Sequence, residues 1–305
     1  MKYTKETSKQ QIIDDIQKYN PNLKLNSLKQ YSHRIQFFVN KHYDLDLDNP
    51  EEILQNINKV YDNLSTRKGL ISPLAKITNS KLLLDEIQNL TSMIRSENEK
   101  NKTTEKEKLS WLDSKEINKI INQHVKEIKK FENLDNPTPY QKKLVKKFLL
   151  FLFFSGRYIA PRRQMDYAYL LWDKDGTDNY NYIDGNKIVY NKYKTASTYG
   201  KQIINIPKQL MKYIVLHRKF NLLDSKSPYM FSVNPLPLTS VSINSFLSDI
   251  VGKQINSNVF RKIYISDLFK SRKSLKEIKE QTALMGTSSS VALESYNKID
   301  LDSLD

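Results

Sequence analysis

The run from Asn258 to Lys298, NVFRKIYISDLFKSRKSLKEIKEQTALMGTSSSVALESYNK, collects side chains suited to phosphate chemistry. Arg261 lies early on an expected helix, Gly286 marks a turn, and Tyr296 follows a short expected helix. A guanidinium forks onto two oxygens and stays protonated, so it suits a phosphate. A phenol is a latent nucleophile, but its ordinary pKa of about 10 means the site must help it ionise. Two earlier segments offer partners: PRRQMDYAYLLW from Pro161 to Trp172, with adjacent arginines, and Lys194, between Tyr193 and Thr195 near a strand turn. Read singly, each has an ordinary explanation. Among 18 tyrosines, a helix-end tyrosine is usually packing or surface. Lys194 alone is a turn lysine, Arg163 alone an ion-pair partner for Asp166, and Arg261 alone a helix-surface residue.

These residues need a scaffold, and the apolar spacing supplies one. Ser8 caps a first helix with Ile12, Ile13 and Ile16 on one face, ended by Asn20-Pro21. A second helix starts near Asn26 or Ser27 and carries Leu28, Tyr31, Ile35 and Phe38. Asn49-Pro50-Glu51-Glu52 combines a cap, a first-turn proline and a capping carboxylate. Further helices are expected from Ser65 and from Lys81 to about Arg95. Residues 1–95 therefore read as a helical unit with no strand signal. Residues 96–108, SENEKNKTTEKEK, contain no apolar residue and read as a linker, a solvated helical extension being the competing reading.

Residues 109–305 read as a second domain. A capped helix opens at Asp113 or Ser114, and another carries Leu144, Val145, Phe148, Leu149 and Leu152. Past Pro161 the period changes to short strands at 170–172, 180–183, 188–193 and 202–206. Asp184-Gly185-Asn186 provides a hairpin turn. From Pro207 the chain returns to helix, with breaks near Gly252 and Gly286. The expected fold class is mainly α with a small antiparallel β-sheet, an α+β arrangement.

Composition narrows the partners. The net charge of +15 over 305 residues points to a polyanion, most simply nucleic acid. The richness in Lys, Asn and Ile, as AT-biased coding produces, makes arginine the more informative cation. There is no Cys, so no disulfide or thiolate site, and the four histidines are scattered, so no metal constellation is expected. The longest apolar run, Phe148 to Phe154, falls far short of the roughly 20 residues that span a bilayer. With a polar N-terminus, an intracellular protein that is neither secreted nor membrane-bound is expected.

The order Arg, hairpin Lys, Arg and C-terminal Tyr resembles the tyrosine recombinase, or phage-integrase-like, family, in its divergent form from large DNA viruses and their mobile elements. From Arg163, an acidic residue, a leucine and a tryptophan follow as Asp166, Leu170 and Trp172. Arg162 is the neighbouring alternative. Arg261 stands in an Asn-x-x-Arg, where the family has His-x-x-Arg, and is followed by Tyr264 and Ser266. Gly286-Thr287 matches the family's Leu-Gly-His-like turn, and Tyr296 lies nine positions beyond Thr287.

The resemblance implies that Arg163 and Arg261 clamp the transferring phosphate and that Tyr296 attacks to give a 3′-phosphotyrosine. Lys194 protonates the leaving 5′ oxygen, and Asn258 and Thr287 stand in for the histidine and the His or Trp of the family. It also implies an N-terminal DNA-clamping domain, four protomers on double-stranded DNA, and no cofactor. Arg162, Lys192, Lys201, Lys262 and Arg272 are expected to meet flanking phosphates or solvent. Alternatives are a type IB topoisomerase, a telomere resolvase, or a DNA-binding protein that has lost activity.

Overall fold

The computed structural model describes residues 1–99, 103–222, 227–233, 235–271 and 273–298. Arg272 and the acidic tail Asp300–Asp305 lie outside the described residues. The chain forms two compact units, Met1–Lys100 and Asn101–Asp305. Their secondary structure is mainly α with small sheets.

In the first unit, β1 (Lys2–Tyr3) is followed by α1 (Lys9–Tyr19), α2 (Leu25–Lys41), β2 (Leu45–Asp46), α3 (Pro50–Val60), α4 (Leu64–Thr78) and α5 (Lys81–Glu99). The caps read from sequence are present: the Ser8 hydroxyl accepts from the Gln11 N–H, and Asn49 accepts from Glu52. Ile12, Ile16, Ile35, Phe38, Ile57, Ile71 and Leu74 form the core. The strand pair corrects the strandless expectation. Lys2 pairs with Asp46 and Tyr3 with Leu45, a ladder too short for period-2 alternation to register in sequence.

The second unit begins with α6 (Glu105–Ser110), α7 (Ser114–Lys129), α8 (Pro139–Phe154) and α9 (Gln164–Ala168). Both ends of the 96–108 stretch are helical, as its competing reading has it: α5 continues to Glu99, and α6 starts at Glu105. The missed signal was a capping box, in which Thr104 and Glu107 satisfy each other's backbone N–H groups. Next come β3 (Leu170–Leu171), β4 (Asn181–Asp184), β5 (Lys187–Tyr190), α10 (Ala196–Tyr199) and β6 (Gln202–Asn205). The sheet order is β3-β4-β5-β6, antiparallel except for a parallel β3–β4 pair. Gly185, at φ +55°, turns the β4–β5 hairpin. The remainder is α11 (Lys208–Asn221), β7 (Ser232–Val233), β8 (Leu236–Pro237), α12 (Ser240–Val251), α13 (Ser257–Lys270), α14 (Leu275–Leu284) and α15 (Ser289–Val291). A wide π-type turn, Ala292–Tyr296, follows.

Helix α8 is the hub. Phe148 through Phe154 are all fully buried, and each such side chain contributes roughly 1.5–3 kcal/mol of burial. Its rings meet the other elements edge-on: Phe148 against Tyr213 of α11, Phe151 against Phe260 of α13, and Phe154 against Tyr167 of α9. Phe260 precedes Arg261, and Tyr167 follows the arginine pair closely. The apolar hub therefore fixes both arginine-bearing segments. Two lysines of α8 are engaged within the unit: Lys146 donates to the Ser232 carbonyl and Lys147 pairs with Asp249.

Candidate active site

The chain leaves α8 through a bend with Gly156 at φ +71° and reaches Arg162 and Arg163 by way of Pro161, Arg163 standing at the N-cap of α9 with φ −74° and ψ 155°. The two arginines differ in their surroundings. Arg162 is fully buried. Its Nε donates to Asp166 Oδ2 at 3.0 Å, and its Nη1 donates to Gln202 and to the Leu284 carbonyl. Its guanidinium carbon lies 4.1 Å from the Tyr190 ring centroid and 4.4 Å from that of Tyr193. Its own N–H donates to the Tyr167 hydroxyl, which in turn donates to the Phe153 carbonyl at the end of α8. Burial raises the pKa of Asp166, and the Arg162 charge offsets this only in part. Arg162 is enclosed by these partners except at Nη2, which closes no hydrogen bond among the described residues; an outlying contact with flanking phosphate, expected from sequence, does not fit this burial.

Arg163 is half-buried, with Nη1 donating to the Gly286 carbonyl at 2.8 Å. Arg261 approaches from α13. That helix is capped by Asn256, whose side chain accepts from the N–H groups of Asn258 and Val259. Arg261 is 2% exposed. Its Nη1 donates to the carbonyls of Pro161 (3.0 Å) and Met285 (3.3 Å). Its Nε and Nη2 are buried and close no hydrogen bond of ordinary geometry among the described residues, although the Tyr296 hydroxyl interacts with the guanidinium. Buried donors of this kind are costly and rare.

Tyr296 reaches this place through a compact reversal. Helix α14 ends as Gly286 takes φ +65°, its N–H donating to the Ala283 carbonyl and that of Thr287 to the Thr282 carbonyl. Ser288 then caps α15. The π turn follows, closed by the Asn297 N–H donating to the Ala292 carbonyl, and the Lys298 N–H donates to the Ser266 hydroxyl. The Tyr296 ring lies with its centroid 4.8 Å from the Arg261 guanidinium carbon. Burial works against ionising the phenol, but the charges of Arg261, Arg163 and Lys194 outweigh it and lower its pKa below the ordinary value. The pKa of Arg261 is itself lowered, first by burial, although the facing Tyr296 opposes the shift.

Lys194 sits in the β5–β6 connection, exposed, near enough for its charge to act on the phenol. Asn258 is exposed on the first turn of α13, whereas Thr287 is buried. Of the expected phosphate contacts, Lys192 is exposed, 5.5 Å from the Tyr180 ring centroid, and Lys201 is 3.7 Å from Asp178. Lys262 is mostly buried and ion-paired with Glu107 of α6, which corrects its reading as a free phosphate contact. Sequence reasoning missed Gln202, Tyr190 and Tyr193 as supports of the site; nothing in their spacing marks them.

Arg261 thus lies against the Tyr296 ring, Arg163 is bonded to the Gly286 turn, and the charges of Arg163 and Lys194 act on the phenol. Such a set can hold a tetrahedral anion and attack it. Among the described residues, no three His, Cys, Asp or Glu converge as metal ligands, and no helix is long and apolar enough to cross a membrane.

No protein-family model and no curated protein matches the sequence. Among solved structures, the chain is similar to a crystal structure of XerA recombinase at 14% identity and TM-score 0.43, covering 96% of this chain and 95% of that one. It is also similar to the XerH site-specific recombinase bound to a palindromic difH substrate in a post-cleavage complex. There the identity is 14% and the TM-score 0.48, over 97% of this chain and 83% of that one.

Proposed function

We propose that this chain is a tyrosine recombinase that breaks and rejoins double-stranded DNA through a covalent 3′-phosphotyrosine. The observation that carries the reading is the seating of the Tyr296 ring against Arg261, with Arg163 and Lys194 close enough to favour the phenolate. Tyr296 Oη attacks the scissile phosphorus after losing its proton to water. The new P–O bond forms as the P–O5′ bond breaks, and that electron pair goes to the 5′ oxygen, which takes a proton from Lys194. Arg163 and Arg261 neutralise the charge gathering on the non-bridging oxygens. The unmatched nitrogens of Arg261 are the natural donors. Reversal with a different 5′ hydroxyl rejoins the strand.

In its finer form the proposal is integration of a viral or mobile genome, with two duplexes and four protomers. The chain's two compact units would act as a DNA-clamping arm and a catalytic domain. A second reading, a DNA-binding protein with lost activity, is favoured by one observation. The two positions where the resemblance implies proton-handling side chains hold an exposed Asn258 and a buried Thr287.

The test is a nicked duplex, its sequence first selected from a randomised pool by binding to the protein, followed by denaturing electrophoresis. A slow protein–DNA adduct that disappears in Tyr296→Phe supports the enzyme. Duplex binding without any adduct supports the second reading. Relaxation of supercoiled plasmid without exchange between paired sites points instead to a topoisomerase.

A further inference from the structure

Thr195 occupies the N-cap of α10, where a threonine ordinarily folds its hydroxyl back onto a helix N–H. It makes no such bond. Its Oγ1 donates instead to the Gly286 carbonyl at 2.8 Å, across 91 residues of sequence. The same carbonyl accepts from Arg163 Nη1, also at 2.8 Å. One oxygen at the nucleophile's turn therefore joins the lysine loop to an arginine of the site.

The other flank of the loop is tied as well. The Tyr193 hydroxyl donates to the Gly200 carbonyl at 2.6 Å, and its ring covers the Arg162 guanidinium. Tyr193 and Thr195 turn inward while Lys194 between them is exposed. The Gly286 turn is closely fitted to this junction: a Cβ on Gly286 would meet Thr195 Oγ1 at 3.1 Å and Arg162 Nη2 at 3.3 Å.

We infer that Thr195 is a positioning residue for the general acid: its hydroxyl fixes the backbone beside Lys194 relative to the Gly286–Tyr296 segment. The inference rests on the recombinase reading of the site. When Arg163 turns from the Gly286 carbonyl toward a bound phosphate, the Thr195 bond remains to hold the loop. Lys194 Nζ then stays in reach of the 5′ oxygen as the P–O5′ bond breaks. Losing the bond leaves attack by Tyr296 intact but slows protonation of the leaving oxygen.

A sulfur substitution separates these effects. In a nicked duplex whose bridging 5′ oxygen is replaced by sulfur, the leaving group departs as a thiolate and needs no proton, because a thiol is far more acidic than an alcohol. Single-turnover cleavage of oxygen and sulfur duplexes of the same selected sequence is compared across wild type, Thr195→Val, Thr195→Ser, Lys194→Ala and the Thr195→Val/Lys194→Ala double variant. General acids contribute roughly 10²–10⁴-fold, so partial misplacement in Thr195→Val is expected to cost about tenfold on oxygen. That cost should vanish on sulfur, be relieved when the replacement is Thr195→Ser, and add nothing to Lys194→Ala. An equal defect on both substrates, no defect on oxygen, or full additivity with Lys194→Ala overturns the role. Absence of adduct from the wild-type protein on either substrate overturns the recombinase reading itself, a separate outcome.

Discussion

Arg162 and Arg163 are neighbours in different surroundings, although both reach the Leu284–Gly286 turn. One guanidinium is enclosed by Asp166, Tyr190 and Tyr193, while the other reaches the Gly286 carbonyl beside Tyr296. Replacing Asp166 by Ala strands a fully buried charge. The expected cost is about 3–5 kcal/mol in urea-denaturation stability, whereas Arg163→Ala should leave the denaturation midpoint nearly unchanged and suppress the adduct. The phenol gives a pH test. Its pKa is lowered, so single-turnover cleavage should rise with pH and level off below the ordinary tyrosine pKa of about 10. Removing a nearby cation leaves burial less opposed and raises the pKa, so in Arg163→Ala the rise shifts to higher pH. The tyrosinate absorbance difference between each protein and its Tyr296→Phe counterpart reports the same titration directly. The sequence resemblance already favoured Arg163, because Asp166, Leu170 and Trp172 follow it at the family's offsets. What spacing could not reveal was the enclosure of Arg162, which depends on two tyrosines of the β5–β6 region contributed by the fold.

At the scale of elements, strong signals and weak ones separated by length. The apolar run of α8, the Asn49-Pro50 start and the Gly185 turn were legible because each has a local cause. The β1–β2 pair, the parallel β3–β4 contact and α6 were not, since two-residue ladders and a six-residue helix carry little periodicity. The spacing from Gly286 to Tyr296 was visible as a number, but the α15 and π-turn reversal that gives it meaning needed coordinates. That reversal starts from Gly286 at φ +65°, with Thr195 and Arg162 in close contact. Gly286→Ala is expected to destabilise the protein by about 1–3 kcal/mol, read by thermal denaturation, and to reduce adduct formation.

For the whole molecule, charge and site agree in sign. A net charge of +15 and a cationic site both favour a polyanion. If the protein neutralises six to ten phosphates, duplex affinity should fall by roughly 10³–10⁵ between 50 and 200 mM salt. A flat salt response, measured by fluorescence anisotropy, would mean that the lysines reflect codon usage and not a binding surface. The division into Met1–Lys100 and Asn101–Asp305 falls within the stretch read as a linker, whose charged composition marked the place but hid the capped helix inside it.

Two nitrogens of Arg261 are buried beside the Tyr296 phenol without closing a hydrogen bond of ordinary geometry to the described residues. A small tetrahedral oxyanion would offer them better-placed acceptors. Inorganic vanadate or phosphate should therefore act as a folding ligand, lifting the melting temperature with added concentration. Arg261→Ala should lose that lift, leaving only the general salting effect of the medium.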